Sequence, residues 1–319
     1  SITMKLREIV YSVKMPQMIL LDIDSTLLPT YGDQEGEAFN YHYQQHGYHP
    51  LLCYDGITGD LLKAELRDGT QYCNNGADDF IIPLLEEYSD RYPDVDLYLR
   101  GDSGFAAPDL YKACEKGGCK YAIRLKLNKT LIKLVEAETK SLASALSKNE
   151  DWISYAITYG EFWYKAGSWD KARRVVFKIE KPYDQLTFMY TFIVTNMEME
   201  PYKVIRFYCG RGKMENFIKE GKSGFDFASV GSATKLVNAN RLQVHALAYN
   251  IFNWFRRLVL SAKMNRMRVD TIRLKLLKVA AKVVHSARYI TFKLCSSCPY
   301  KNEFYEAFDN IRNLAVQIE

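Results

Sequence analysis

Apolar and polar positions along this chain change period several times, and each change predicts an element boundary. Residues 17–27 (Q-M-I-L-L-D-I-D-S-T-L) form a continuous apolar run with acids at its far end, which predicts a buried strand. Residues 48–54 and 61–66 predict two strands joined as a hairpin by D-G-I-T-G-D. Asn74 or Asn75 can cap a helix running to about Arg91, with Phe80, Ile81, Leu84, Leu85 and Tyr88 on one face. A short strand at 95–99 ends at R-G-D-S-G-F. Pro108 suits the first turn of a helix that stops near Gly117 and Gly118, and 121–125 predicts the next strand. The order is strand, strand, strand, helix, strand, helix, strand, a mixed α/β sheet that begins as an antiparallel meander.

Beyond this the pattern predicts a helix around 129–147. Three or four antiparallel strands follow between Trp152 and Thr195, where aromatic and β-branched residues crowd together. A helix then follows Pro201, and a long one covers about 233–259. The tail predicts a basic helix near 271–284, a strand at 289–294 and a last helix at 303–314.

Composition adds bounds. With 319 residues and 48% hydrophobic content the chain can bury one large core or two medium ones. Its apolar runs are too short to span a bilayer, and no extended apolar segment opens the chain, so no membrane role is expected. Seven scattered Cys point to reduced thiols and a cytoplasmic setting. The net charge of +5 hides an asymmetry. Residues 1–200 carry 22 Lys+Arg against 30 Asp+Glu, and residues 201–319 carry 21 against 8. The second part therefore suits a polyanion such as nucleic acid.

Candidate chemistry lies in three places. Asp22 and Asp24, two apart on a strand, share one face. Asp102 ends another strand, between Gly101 and Gly104. Tyr208, Arg211, Glu215 and Lys222 are separated by three, four and seven residues, which places all four on one stripe of a helix. Carboxylates brought from strand ends and a helix make an oxygen donor set suited to Mg²⁺ or Mn²⁺. A strand-end Asp alone is more often a cap or turn residue, and the combination is what carries weight.

Together these residues resemble the catalytic core of a bacterial insertion-sequence DDE transposase, of the branch with the signature Y-x2-R-x3-E-x6-K. Tyr208, Arg211, Glu215 and Lys222 fit that signature without insertion. L-L-D-I-D-S-T resembles the branch's first-Asp motif, and its D-S-T position favours Asp24 over Asp22 as the ligand. L-Y-L-R-G-D-S-G-F, containing Asp102, resembles the second-Asp motif. G-D-Q-E-G at 32–36 and A-L-A-Y-N at 246–250 also look like this subgroup.

The resemblance, which spans roughly 17–295, implies a ribonuclease H-like fold. Its first strand would bear the first Asp, its fourth strand the second, and a later helix the Glu, with a β-rich insertion before that helix. The expected division is 1–126 for the first part of the core, 127–199 for the insertion, 200–262 for the second part and 263–319 for a basic C-terminal region. Asp24, Asp102 and Glu215 would bind two divalent ions, Mg²⁺ or Mn²⁺. These would nick DNA at transposon ends, and the freed 3′-OH would attack target DNA. Arg211 and Lys222 would hold phosphates and Tyr208 would bond or stack nearby. In this branch an insertion Trp can stack on a flipped base, and Trp152, Trp163 and Trp169 are candidates, although packing within a sheet is the commoner role for each. The implied partner is double-stranded DNA bound by a homodimer, in a bacterial cytoplasm at the nucleoid. Few residues precede Asp24, so a separate end-recognition domain is expected to be missing, with weak sequence preference and strong salt dependence as the consequence.

Other readings compete. L-L-D-I-D-S-T-L also fits a haloacid-dehalogenase-type phosphatase with Asp22 as nucleophile and Asp24 as acid/base. That family needs a further Asp four or five positions after G-D, where this chain has Ala106 and Ala107. A catalytically silent DNA-binding relative is a third reading, although all three acids are present. Cys295 and Cys298 resemble half a zinc site, for which Cys114 and Cys119 are poorly spaced partners. His42, His46 and His49 read as a loop near DNA or at the sheet edge, and His245 as a core histidine. Basic residues from Arg256 to Lys282 could track a DNA backbone or form a solvated face.

Overall fold

The computed structural model describes residues 2–148, 155–183 and 185–314. In chain order the elements are α1 (Ile2–Val13), β1 (Met18–Ser25), β2 (Leu28–Pro29), β3 (Ala38–Asn40), β4 (Gln45–Tyr48), β5 (Leu51–Asp55), β6 (Leu61–Glu65), α2 (Ala77–Arg91), β7 (Asp96–Gly101), α3 (Pro108–Lys116), β8 (Lys120–Arg124), α4 (Lys129–Leu134), α5 (Glu136–Lys148), β9 (Ala156–Tyr164), β10 (Arg173–Lys181), β11 (Met189–Thr195), α6 (Pro201–Cys209), α7 (Lys213–Phe225), α8 (Lys235–Leu258), α9 (Val269–Ile272), β12 (Ala281–Ser286), β13 (Tyr289–Leu294) and α10 (Lys301–Asn313). They fall into two compact units, residues 17–216 with 233–235, and residues 1–16 with 217–232 and 236–319.

The first unit is built on an eight-stranded sheet of order β6-β5-β1-β7-β8-β11-β10-β9. β1 runs parallel to β7, and β7 to β8, while β5 and β6 pair antiparallel on the other side of β1. This is the expected α/β, ribonuclease H-like arrangement. The first strand carries Asp24, and the fourth core strand, β7, leads directly into Asp102. Strands β9 to β11 continue the same sheet beyond β8 through antiparallel pairing. A small sheet of β2, β4 and β3 lies between β1 and β5 in sequence.

Strand alternation decides what the two faces hold. Leu20 of β1, Tyr98 of β7 and Ala122 of β8 pack with Val204 and Ile205 of α6 in one buried cluster. Asp22 and Asp24 follow Leu20 at steps of two, so they share the α6 face, as does Arg100 two residues after Tyr98. On the opposite face Tyr111 of α3 stacks on Tyr121 of β8, at 5.5 Å between ring centroids. Ile19, Leu21 and Ile23 are fully buried. β1 is buried along nearly all its length, as a strand with a neighbour on each side requires.

Arg100 ties this face together. Its Nε and Nη2 donate to the two oxygens of buried Asp22, each at 2.7 Å, and its Nη1 donates to the Phe207 carbonyl of α6. The guanidinium also lies over the Phe207 ring, 5.1 Å from its centroid. Two glycines make room. A Cβ on Gly56 would come within 2.3 Å of Asp22 Oδ2, and one on Gly210 within 2.7 Å of Arg100 Nη1.

Several helical expectations need correction. The stripe from Tyr208 to Lys222 does not ride one helix, because a 3₁₀ turn over Gly210–Gly212 separates α6 from α7. The Phe207 carbonyl, which a continuous helix would give to the Arg211 N–H, accepts from Arg100 and the Gly210 N–H, and glycine favours the break. The helix at 129–147 is interrupted at Val135. Gly76, at φ 66, precedes α2 in place of an Asn side-chain cap.

In the second unit the basic helix expected near 271–284 is absent. One helical turn, α9, and a π turn over Arg273–Leu277 give way to a β12–β13 hairpin. Val283 and Val284, opposite Phe292 and Thr291, favour strands more strongly than the lysine spacing favours a helix. α8, α9 and α10 surround a core of Val259, Leu260, Met264, Ile272, Leu276 and Ala307. Among the described residues no helix is long and apolar enough to cross a membrane.

Removing one partner of a buried ion pair strands the other, at about 3–5 kcal/mol. Arg100→Met is expected to lower the unfolding free energy in urea by that amount, and Asp22→Leu/Arg100→Met to recover most of it. A loss below about 1 kcal/mol in the single variant would mean that Asp22 does not depend on Arg100.

Candidate active site

Asp24 lies near the end of β1, where the backbone opens toward the small sheet. Its Oδ1 accepts the Ser25 N–H at 2.9 Å, and its Oδ2 lies 2.9 Å from Arg211 Nη2. Asp102 follows β7 and caps a 3₁₀ turn, its Oδ1 accepting the Gly104 N–H at 2.8 Å. Its other oxygen lies 3.9 Å from the same Arg211 nitrogen. Arg211 therefore reaches both carboxylates, and Nη2 also donates to the Ile23 carbonyl at 3.4 Å. The Arg211 Nε–H is buried without a hydrogen-bond partner among the described residues.

Burial pushes the Asp24 carboxyl up to about 6. The nearby Asp102 charge pushes the same way, against the pull of Arg211. Two carboxylates thus share one positive group, and Asp24 stays raised although it is the nearer of the two to Arg211. Asp22 plays a different part. It is fully buried and both its oxygens are held by Arg100, so burial raises its carboxyl against that pull. A phosphatase nucleophile at this position would need an open oxygen, and the alternative built on Asp22 fails on that ground.

The other members of the stripe are placed less uniformly. Tyr208 is partly buried against the α6 cluster, and burial raises its phenol. Glu215 is exposed on α7. Among the described residues no three metal-ligating side chains are gathered, so Glu215 does not complete a three-carboxylate group with Asp24 and Asp102. Lys222 belongs to the other compact unit, and burial lowers its ammonium.

The two aspartates open onto a cleft of about 520 Å³, walled by Tyr43, His42, His49, Tyr72, Cys73 and Lys126. The Tyr43 phenol is pushed up to about 12, by burial first and then by Asp24, Cys73 and Asp102. Ser25 donates its hydroxyl to Cys73 Sγ at 3.2 Å. His49 bonds the Gln71 carbonyl through Nδ1 at 2.7 Å, and His46 turns to Glu37. Sequence reasoning overlooked Tyr43, Cys73 and Arg100. The signal for Arg100 was present, since it precedes Asp102 by two on one strand face. Of the three Trp candidates, Trp169 is buried beside Tyr111 and Tyr164, Trp163 is exposed on strand β9, and Trp152 lies outside the described residues.

The donor chemistry suits a hard divalent cation in part. Two carboxylates from adjacent strands converge on one positive side chain, and Asp24 is raised by burial first and by the neighbouring Asp102 charge after it.

Over residues 1–316 the sequence matches the family described as transposase DDE domain group 1. The chain belongs to that family. No curated protein matches this transposase-family chain. Solved structures that match include the piggyBac transposase synaptic complex with hairpin DNA, at 13% identity and TM-score 0.49, covering 83% of this chain and 53% of that one. The catalytic core domain of BIV integrase matches at 13% identity and TM-score 0.21, over 41% of this chain and 72% of that one. A simian T-cell lymphotropic virus intasome in complex with a PP2A regulatory subunit matches at 11% identity and TM-score 0.25, over 58% and 80%. The transposase-family chain thus spans about half the length of the piggyBac chain.

Because the folded Asp24 binds its proton more tightly than the unfolded chain does, its charge destabilises the fold. The effect is absent below about pH 4, grows as pH rises toward 6 and is complete above it, with an upper bound of roughly 3 kcal/mol. Asp24→Asn is expected to gain stability relative to the unsubstituted protein as pH rises from about 4 to 7. Urea unfolding at several pH values measures this, and a difference independent of pH would contradict it.

Proposed function

We propose that this chain is the catalytic core of a DNA transposase, hydrolysing phosphodiesters at transposon ends and joining the freed 3′-OH to target DNA. The observation that carries the reading is the pair Asp24 and Asp102, delivered from neighbouring parallel strands to one cleft with Arg211 between them.

Asp24 and Asp102 would hold Mg²⁺ or Mn²⁺, and Glu215, which stands apart from them here, would become the third carboxylate only by moving toward the pair. When bound, such ions supply a water of lowered pKa and offset charge on the leaving oxygen. Arg211 does the complementary work. Its buried, unpartnered Nε–H and its Nη2 form one edge of a fork that suits a phosphate oxygen pair. A phosphodiester entering the cleft would draw Arg211 away from the carboxylates, leaving them to the metal. Tyr208 lies close enough to Arg211 to feel its charge, and Lys222 is the further cation that the Y-x2-R-x3-E-x6-K signature would assign to phosphate. Double-stranded DNA is the partner in this reading, with two chains acting on paired ends. The branch marked by Tyr208, Arg211, Glu215 and Lys222 and its bacterial, nucleoid-associated setting belong to the same proposal.

A catalytically silent DNA-binding relative is the second reading, and the exposed placement of Glu215 is what favours it. One assay separates the two. With Mn²⁺ and supercoiled plasmid, the protein is expected to nick. Asp24→Asn, Asp102→Asn and Glu215→Gln should each lose roughly three orders of magnitude in rate, in line with the several kcal/mol a catalytic metal contributes. No nicking by the unsubstituted protein would support the silent reading. Nicking that survives Glu215→Gln would remove Glu215 from the set.

A further inference from the structure

The β12–β13 hairpin is a two-stranded ribbon whose faces differ. Cross-strand pairs Lys282↔Lys293, Val284↔Thr291 and Ser286↔Tyr289 lie on one face, and Ala281↔Leu294, Val283↔Phe292 and His285↔Ile290 on the other. Nearly every side chain is exposed, including Ile290 at 61% and Phe292 at 65%. The ribbon closes through Ala287 and Arg288, which places Arg288 at its tip.

The polar face carries a contradiction. Lysines directly opposite each other repel, and a ribbon of two strands has little stability to spare. No carboxylate of this segment relieves them. Residues 271–302 contain seven Lys or Arg and no Asp or Glu. Like charges kept in register, with a third at the tip, match a row of phosphates. A two-stranded ribbon is also among the shapes that a DNA major groove admits. Lysines on both exposed strands work against edge-to-edge pairing with another copy, which weakens the competing occupant.

We propose that the β12–β13 ribbon is a DNA-gripping element that contacts the phosphate backbone of duplex DNA through Lys282, Lys293 and Arg288. The inference rests on the reading of DNA as substrate and adds where the duplex is held outside the catalytic cleft. The contacts are to phosphate, so they position DNA without reading its sequence.

The test uses the full chain and a fluorescently labelled duplex of arbitrary sequence, titrated between roughly 50 and 200 mM salt. Lys282→Gln/Lys293→Gln is expected to bind at least about fivefold more weakly, with the slope of log K against log salt reduced by about 1.8. Arg288→Gln should reduce it by about 0.9. Lys282→Arg/Lys293→Arg should keep both affinity and slope, which separates loss of charge from loss of fold. If the unsubstituted chain binds and the Gln variants match it in affinity and slope, the ribbon proposal is wrong and the transposase reading stands. Absence of duplex binding by the unsubstituted chain overturns both. If sedimentation shows that the Gln variants lose a dimer while each monomer keeps its salt slope, the ribbon's occupant is a second copy and the proposal fails.

Discussion

The fork between Arg100 and buried Asp22 is the constraint on which the arrangement of the cleft depends. Ion pairs this deep add little net stability, because desolvation offsets attraction, but they hold geometry tightly once formed. Here one guanidinium joins β1, β7 and the end of α6. That junction fixes the height of β1 against β7, and so of Asp24 against Asp102. By taking the Phe207 carbonyl it also favours the 3₁₀ turn that presents Arg211. Gly56 and Gly210 are required because the fork leaves no space for a side chain at either place.

Above that junction the site is electrostatically unfinished. Asp22 has its counterion, whereas Asp24 and Asp102 compete for Arg211 at 2.9 and 3.9 Å. Burial is the main reason the Asp24 carboxyl is raised, and the Asp102 charge adds to it. A scaffold that satisfies one acid fully and leaves the next two dependent on a single cation is arranged to receive more positive charge from outside. In the proposed transposase reading Arg211 would be a placeholder for the cation as well as a phosphate ligand. The Arg100 fork also explains why the stripe is broken at Gly210–Gly212, since a straight helix would keep the Phe207 carbonyl for its own ladder.

Much of this was legible in the sequence, and the failures have physical causes. Apolar runs ending in acids located β1 and β7, and the periodic helices α2 and α8 were visible because their amphipathic faces are long. Arg100 went unnoticed although it stands beside Asp102, because its partner is set by the register Asp22↔Arg100 between strands 78 residues apart, which no local pattern encodes. The spacing of Tyr208, Arg211, Glu215 and Lys222 was read as one helix because two glycines cost a helix only modestly, and the tertiary claim of Arg100 on Phe207 tipped the balance. Around Lys275–Lys282 the lysines suggested a helical stripe, while the β-branched and aromatic residues that pair across β12 and β13 decided for strands.

The central claim is that Asp24 and Asp102 form one cation-binding pair in which Arg211 stands in for the missing charge. Anomalous scattering from crystals soaked in Mn²⁺ tests it most directly. The account predicts a peak bridging Asp24 and Asp102, with the Arg211 guanidinium moved off Asp24. A soaked crystal with no peak there, and Arg211 still between the two carboxylates, would contradict it.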